Sequence, residues 1–274
     1  MARRASRSVR PILCAVLDIE ALGEDPRSRA RALFAAGVDW IQLRDRICES
    51  ETFYRVACQL VEAARETEKE QDPCDGLSTA RRTPRVILNR RVDIALAAGA
   101  HGVHLGFDAV RADAARKLLG DAALVGVSIH SAEEAGSVSD DALRYAHLAP
   151  IWDPVSKPAS RPPLGLGILA RAAASGPPLL AQGGLDPARA VQAIEAGAIG
   201  IAVIGRLGRA PDPGAAARQL RVSLDRATPP AGSILRNQSR IAGDRAAMPG
   251  SSPRGELDSG RVDGACAGVR TEWK

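Results

Sequence analysis

AQGGLDPARAVQAIEAGAIGIAVIGR, residues 181–206, is the stretch from which the fold is read. It opens at the end of a short apolar run, Leu179–Gln182, which has the length of a buried strand. Two glycines follow, then an Ala-rich pattern of helical period over Pro187–Ala196. Gly197 closes that helix in the manner of a C-terminal cap, where positive φ costs glycine little. A second apolar run, Gly200–Val203, leads into Ile204-Gly205-Arg206. This is one strand–helix–strand unit with glycines at the ends of both strands.

The same unit recurs along the chain. Strands are expected near Ile12–Val16, Trp40–Arg44, Arg85–Leu88, Gly102–Leu105, Leu124–Ser128 and Tyr145–Ala149. Helical patterns lie near Pro26–Ala36, Ser50–Lys69, Val92–Ala98, Ala109–Leu119, Ala132–Ser137, Leu166–Ala174 and Gly214–Arg226. Gly37, Gly99 and Gly120 stand where Gly197 does, just past a helix. Eight β-then-α units in about 215 residues predict a (β/α)8 TIM barrel in one domain. A doubly wound open sheet is the alternative, but it commonly uses fewer strands, and no GxGxxG follows the first one.

Three segments fall outside this pattern. Residues 1–10 read as a basic N-terminal extension and 11–226 as the barrel. Residues 227–274 form a low-complexity tail rich in Gly, Ser, Pro, Arg and Asp, expected to be disordered. Residues 68–84, polar and turn-rich, are expected to be a surface insertion before the third strand.

Charge follows the same division. The chain carries 37 Lys+Arg against 32 Asp+Glu, a net +5. The first ten residues hold four Arg and no acid, and residues 226–274 a net +3, which leaves the body at −2. With only 3 Trp, 2 Tyr and 3 Phe there is no stacking platform for single strands, and nucleic acid is not an expected partner. No apolar run is long enough for a transmembrane helix. Pro11–Leu17 is too short for a signal peptide and runs into acids. Five cysteines, an odd number without CxxC spacing, suggest reduced thiols and a cytoplasmic location.

In a barrel, chemistry sits at the C-terminal ends of the strands. After strand 2, Gln42-Leu43-Arg44-Asp45-Arg46 puts two guanidiniums at alternate positions, which suits an anion; a salt bridge with Asp45 is the competing reading. Asn89, after strand 3, suits a helix cap. His104 after strand 4 is a base, a ligand or a structural histidine, and Asp108 a weak Mg2+ ligand or a cap. Ser128 should face the mouth after strand 5, while Ser131 and Glu134 have capping-box spacing. The proline-rich loop after strand 6 should be stiff and extended and could present Ser156 and Lys157. Gly183, Gly184, Ile204 and Gly205, after strands 7 and 8, form the expected phosphate cradle.

The set resembles the thiamine phosphate synthase/TenI superfamily over roughly residues 12–220. The stretches that carry the resemblance are IQLRDR (41–46), VILNRRVDIALAAGAHGVHLG (86–106), GVSIHSAEEA (126–135), APIWDPVSK (149–157) and AQGGLDPARAVQAIEAGAIGIAV (181–203). The resemblance implies an enzyme of thiamine biosynthesis that joins hydroxymethylpyrimidine diphosphate to a thiazole phosphate and releases pyrophosphate. It implies pyrimidine-diphosphate contacts at Arg44, Arg46, Asn89 and Lys157. Gln42, Ser128 and Ser156 are further substrate-binding candidates, with Gly183, Gly184, Ile204 and Gly205 for the thiazole phosphate. It also implies Mg2+, small phosphorylated pyrimidine and thiazole partners, and a homodimer as one possible assembly.

The chain departs from the pattern at three places. Arg90 stands where an Asp would help hold Mg2+. Ala109 stands where a second Asp would, with Asp108 one place early. Pro154 replaces the first hydroxyl of the strand-6 loop. The alternative reading is therefore a TenI-like protein that binds thiazole phosphate or thiamine phosphate without synthase chemistry. The tautomerase branch places a His where this chain has Pro150, and His147 should not reach that place. A barrel enzyme acting on another phosphorylated molecule is a third reading.

Overall fold

A computed structural model describes residues 10–70, 83–106, 108–138, 142–153 and 161–230. The elements run β1 (Ile12–Leu17), α1 (Ile19–Leu22), α2 (Pro26–Ala35), β2 (Trp40–Leu43), α3 (Ser50–Glu70), β3 (Arg85–Asn89), α4 (Val92–Ala98), β4 (Gly102–Leu105), α5 (Ala112–Leu119) and β5 (Leu124–Ile129). They continue α6 (Ala132–Ser137), β6 (Tyr145–Leu148), α7 (Gly165–Ser175), β7 (Leu179–Gln182), α8 (Pro187–Glu195), β8 (Gly200–Val203), α9 (Gly205–Gly208) and α10 (Pro213–Arg226). All neighbouring strands are parallel, and β1 pairs with both β2 and β8. The sheet is thus a closed (β/α)8 barrel without an edge, which removes the open-sheet alternative.

Alternation along the strands builds two cores. Cys14, Val16, Trp40, Ile87, Leu124, Tyr145, Leu180 and Ala202 fill the barrel interior. Residues one step away, such as Leu13, Ala15, Ile41, Leu43, Leu88 and Val103, pack against the helices. Strands buried on both faces read as continuous apolar runs, which is why short uninterrupted runs marked them in the sequence. Each fully buried Leu or Ile contributes about 1.5–3 kcal/mol. Tyr145 fits inside because Gly126 pairs with it on β5; a Cβ there would collide with the Tyr145 ring.

The strands and most helices match the expected spans to within one residue. Three differences have physical causes. α3 continues to Glu70, into the segment expected as an insertion from 68, because Glu66 and Glu70 pair with Arg27 and Arg31 of α2. Residues 71–82 of that segment lie outside the described residues, as do 1–9 of the basic extension and 231–274 of the tail. α5 begins at Ala112, not Ala109, with Arg111 as its N-cap. α1 and α9 were not anticipated: four residues each are too few to show a period. α1 is fixed locally, by the Asp18 carboxylate accepting the Ala21 N–H at 2.9 Å.

Candidate active site at the barrel mouth

The first layer below the mouth is polar and uncharged. Gln42 on β2 is 2% exposed and donates from Nε2 to Asn89 Oδ1 on β3 at 3.3 Å. Asn89 is therefore not the cap of α4; Arg91 holds that position, without a side-chain cap bond. His104 on β4 faces Ser128 Oγ of β5 through Nε2 at 2.9 Å and the Tyr145 hydroxyl of β6 through Nδ1 at 3.3 Å. The His147 ring lies 4.1 Å from that of His104, centroid to centroid.

Burial drives the His104 pKa well below 6.5, and His147 and Arg44 push it the same way. Burial takes His147 down to about 3, against a hydrogen bond to Gln182 that favours the protonated ring. Both rings are neutral, so His104 serves as a hydrogen-bonded member of this layer and orients Ser128. Ser128 itself is exposed and opens to the mouth, as strand alternation predicts. Gln42 Oε1 and His147 Nε2 are buried and have no hydrogen-bond partner among the described residues.

Cations stand above this layer on the β2 and β3 side. Arg44, one residue past β2, is half-buried, and Arg46 is exposed. Burial and the neighbouring Arg46 lower the pKa of Arg44, while Asp18 raises it. An arginine stays charged regardless, so this marks a cation held among few counter-charges. The competing Arg–Asp45 bridge is not made. Asp45 instead accepts N–H groups of Ile47 and Cys48 at 3.0 Å and of Ile19 at 3.4 Å. Burial raises the Asp45 carboxyl, but those N–H groups together hold it below the usual range.

Arg90, past β3, pairs with Asp108, past β4, at 2.5 Å. Asp108 thus neither caps a helix nor stands free for a metal. Arg91 turns to Asp93 and to the Ser50 hydroxyl. Among the described residues no three His, Cys, Asp or Glu side chains gather where they could hold a metal ion. Mg2+ beside a substrate phosphate needs only one or two carboxylates, but Asp108 is taken by Arg90 and Asp45 by backbone N–H groups, so the described residues do not fit the Mg2+ that the resemblance implies.

The glycines sit on the opposite side of the mouth, where β7 and β8 are neighbours. Gly183 has φ 102° and Gly184 φ 59°. A Cβ on Gly184 would strike the Asp153 carbonyl and Trp152, so packing against the strand-6 loop requires this glycine. Residues 154–160 of that loop lie outside the described residues, and its two described ends are pinned. Ile151 N–H donates to Gln182 O at 2.8 Å, and Leu164 N–H returns to Pro150 O at 2.8 Å. Ser156 and Lys157 lie outside the described residues. Ile204 is the N-cap of α9, the short extra helix that starts at Gly205 just past β8, and no side chain caps its N-terminal N–H groups. Arg206 donates to Leu185 O at 3.3 Å and ties the two glycine loops together.

Arg189 was missed by sequence reading. It donates to Gly184 O at 2.6 Å and covers the Trp152 ring at 5.6 Å. Nothing in the local pattern separates it from other first-turn arginines. The sequence-predicted residues that are described thus gather at one end of the barrel, in two groups: Arg44, Arg46, Gln42, Asn89 and Ser128 on one side, the glycines and Ile204 on the other.

These features define a (β/α)8-barrel protein with cations on one side of its mouth and a glycine-lined cradle on the other. A family model described as thiamine monophosphate synthase matches residues 13–207, and the chain belongs to that family. The thiamine-phosphate synthase of Roseiflexus castenholzii is 36% identical, with 78% of this chain and 88% of that protein covered. That of Chlorobium limicola is also 36% identical, with 77% and 92% covered. A thiamine biosynthesis bifunctional protein ThiM/ThiE of Symbiobacterium thermophilum is 35% identical over 75% of this chain, which spans 40% of that longer protein. The fold is also that of the thiamine phosphate pyrophosphorylase of Pyrococcus furiosus, at TM-score 0.63 and 24% identity, covering 78% of this chain and 95% of the other.

Proposed function

We propose that this protein is a thiamine-phosphate synthase, joining a hydroxymethylpyrimidine diphosphate to a thiazole phosphate. The observation that carries this reading is the division of the mouth. β2 and β3 carry the cations, β7 and β8 the glycine cradle, and the neutral polar layer forms the floor below them. Two phosphorylated molecules can then lie with their charged ends apart and their rings in contact.

In the reaction, the bond between the pyrimidine methylene carbon and the diphosphate oxygen breaks, and its electron pair leaves with the diphosphate. The thiazole nitrogen supplies the pair for the new C–N bond. No side-chain nucleophile is needed. Arg44 and Arg46 face charge that grows on the leaving group, so they stabilise the transition state more than the ground state. Lys157 and Ser156, on the strand-6 loop, are assigned to the same diphosphate. Asn89 and Gln42, fixed by their mutual bond, hold the pyrimidine side, where the buried Gln42 Oε1 offers an acceptor. Gly183, Gly184, Ile204 and Gly205 receive the thiazole phosphate. Holding the two reactants in contact supplies the remainder of the acceleration.

The test is release of pyrophosphate from purified protein given both substrates. Stoichiometric pyrophosphate and thiamine phosphate are expected. Saturable thiazole phosphate binding with no turnover would instead establish the TenI-like binding module, which the Arg90 substitution favours.

A further inference from the structure

Arg90 is the one non-glycine residue with positive φ among the described residues, at 69°. Asp or Asn occupies that region at less cost than a long side chain, so Arg is an unfavourable choice for the backbone alone. The main chain there is pinned: Arg90 N–H donates to His104 O at 2.9 Å and Val92 N–H to Arg90 O at 3.0 Å. The turn directs the guanidinium to Asp108 on the neighbouring strand's loop. Both side chains are 41% exposed, so a ligand in the mouth can reach them. Arg91 is engaged elsewhere, and Asp108 is already bound to a cation.

We propose that Arg90 and Asp108 add a further cation site for the leaving diphosphate beside Arg44 and Arg46, Asp108 parking the guanidinium until the diphosphate displaces it, so that this mouth takes diphosphate without a divalent cation. The inference rests on the synthase reading for the identity of the ligand. A guanidinium fork matches two phosphate oxygens, and a multiply charged diphosphate outcompetes one carboxylate whose half-exposed ion pair is weak.

The probe is inorganic pyrophosphate, titrated calorimetrically into the full chain in EDTA and in Mg2+. Affinity in EDTA should stay within about threefold of that in Mg2+. Arg90→Gly relieves the backbone and removes the cation. It should keep or raise the melting temperature while weakening pyrophosphate about tenfold or more. Asp108→Asn separates the two possible roles by sign. A parking carboxylate, once removed, should tighten pyrophosphate binding about two- to fivefold; a metal ligand, once removed, would weaken it in Mg2+. Binding seen only with Mg2+, unchanged affinity in Arg90→Gly, or weakening in Asp108→Asn each overturns the proposal. Turnover is followed in parallel. Metal-free pyrophosphate binding without turnover keeps this inference and removes the synthase reading, whereas turnover and binding that both require Mg2+ do the reverse.

Discussion

At the N-terminal end of the barrel, Arg221 is 4% exposed and donates to Pro11 O at 2.8 Å and Asp39 Oδ2 at 3.0 Å. It also pairs with Asp225 at 2.7 Å, and Asp225 in turn is held by Arg10 at 2.8 Å. Gly37 leaves room for its stem, since a Cβ there would lie 2.6 Å from Arg221 Cγ. At the C-terminal end, Arg44 and Arg46 have no ion pair with a described carboxylate, and the Arg90 pair is half open to solvent. One end closes its charges on one another and so fastens the last helix to the first strand. The other leaves cations over a neutral floor, where an anion completes them. The same residue type is a staple at one end and a receptor at the other, and the difference lies in the partners supplied by the chain.

The sharpest way to break that contrast is Arg221→Leu. Removing one member of a buried network leaves Asp39 short of its counter-charge and should cost about 3–5 kcal/mol. Urea unfolding would register this as a lower midpoint, while turnover per folded molecule stays near that of the parent. A small stability loss with large loss of turnover would make the lower end part of the active site. Arg44→Ala should do the opposite. Loss of one preorganised donor to developing charge lowers turnover about 10²-fold. Stability should move by less than about 0.5 kcal/mol. A destabilised but fully active Arg44→Ala would show that the mouth, too, is a closed structural network.

These two arginines also mark what a sequence can disclose. Arg44 was legible because a barrel tells which end of a strand carries chemistry, and QLRDR sits at such an end. The glycines after β7 and β8 were legible for the same reason. Arg221 was not: its partners, Pro11 and Asp39, lie 210 and 182 residues away and meet it only when the barrel closes. From local pattern Asn89 suited a cap and Asp108 a cap or a weak Mg2+ ligand, whereas their bonds to Gln42 and Arg90 cross between strands and have no local signal. The eight strands were readable from period and length; α1 and α9 were too short to have a period.

Between the two ends lies the histidine layer, and acid tests which end it belongs to. His104 and His147 are neutral in the fold, with His147 lowered to about 3 and His104 held well below 6.5. In the unfolded chain both regain an ordinary value near 6.5, so acid protonates the unfolded state first. Their contribution is complete above pH 6.5 and is lost as pH falls from there toward 3. The slope approaches about 1.4 kcal/mol per pH unit for each histidine that stays neutral. His101, whose Nδ1 accepts the Val86 N–H at 3.0 Å at the lower end, is also lowered to about 3 and adds to the slope. Urea unfolding at pH 6.5, 5.5 and 4.5 should therefore show a steady loss. His147→Gln should flatten that loss by about one histidine's share. An equal slope in parent and variant would mean that His147 takes up its proton in the native state. The layer under the mouth would then be open to protons like the mouth, and the boundary between open and closed ends would lie deeper in the barrel.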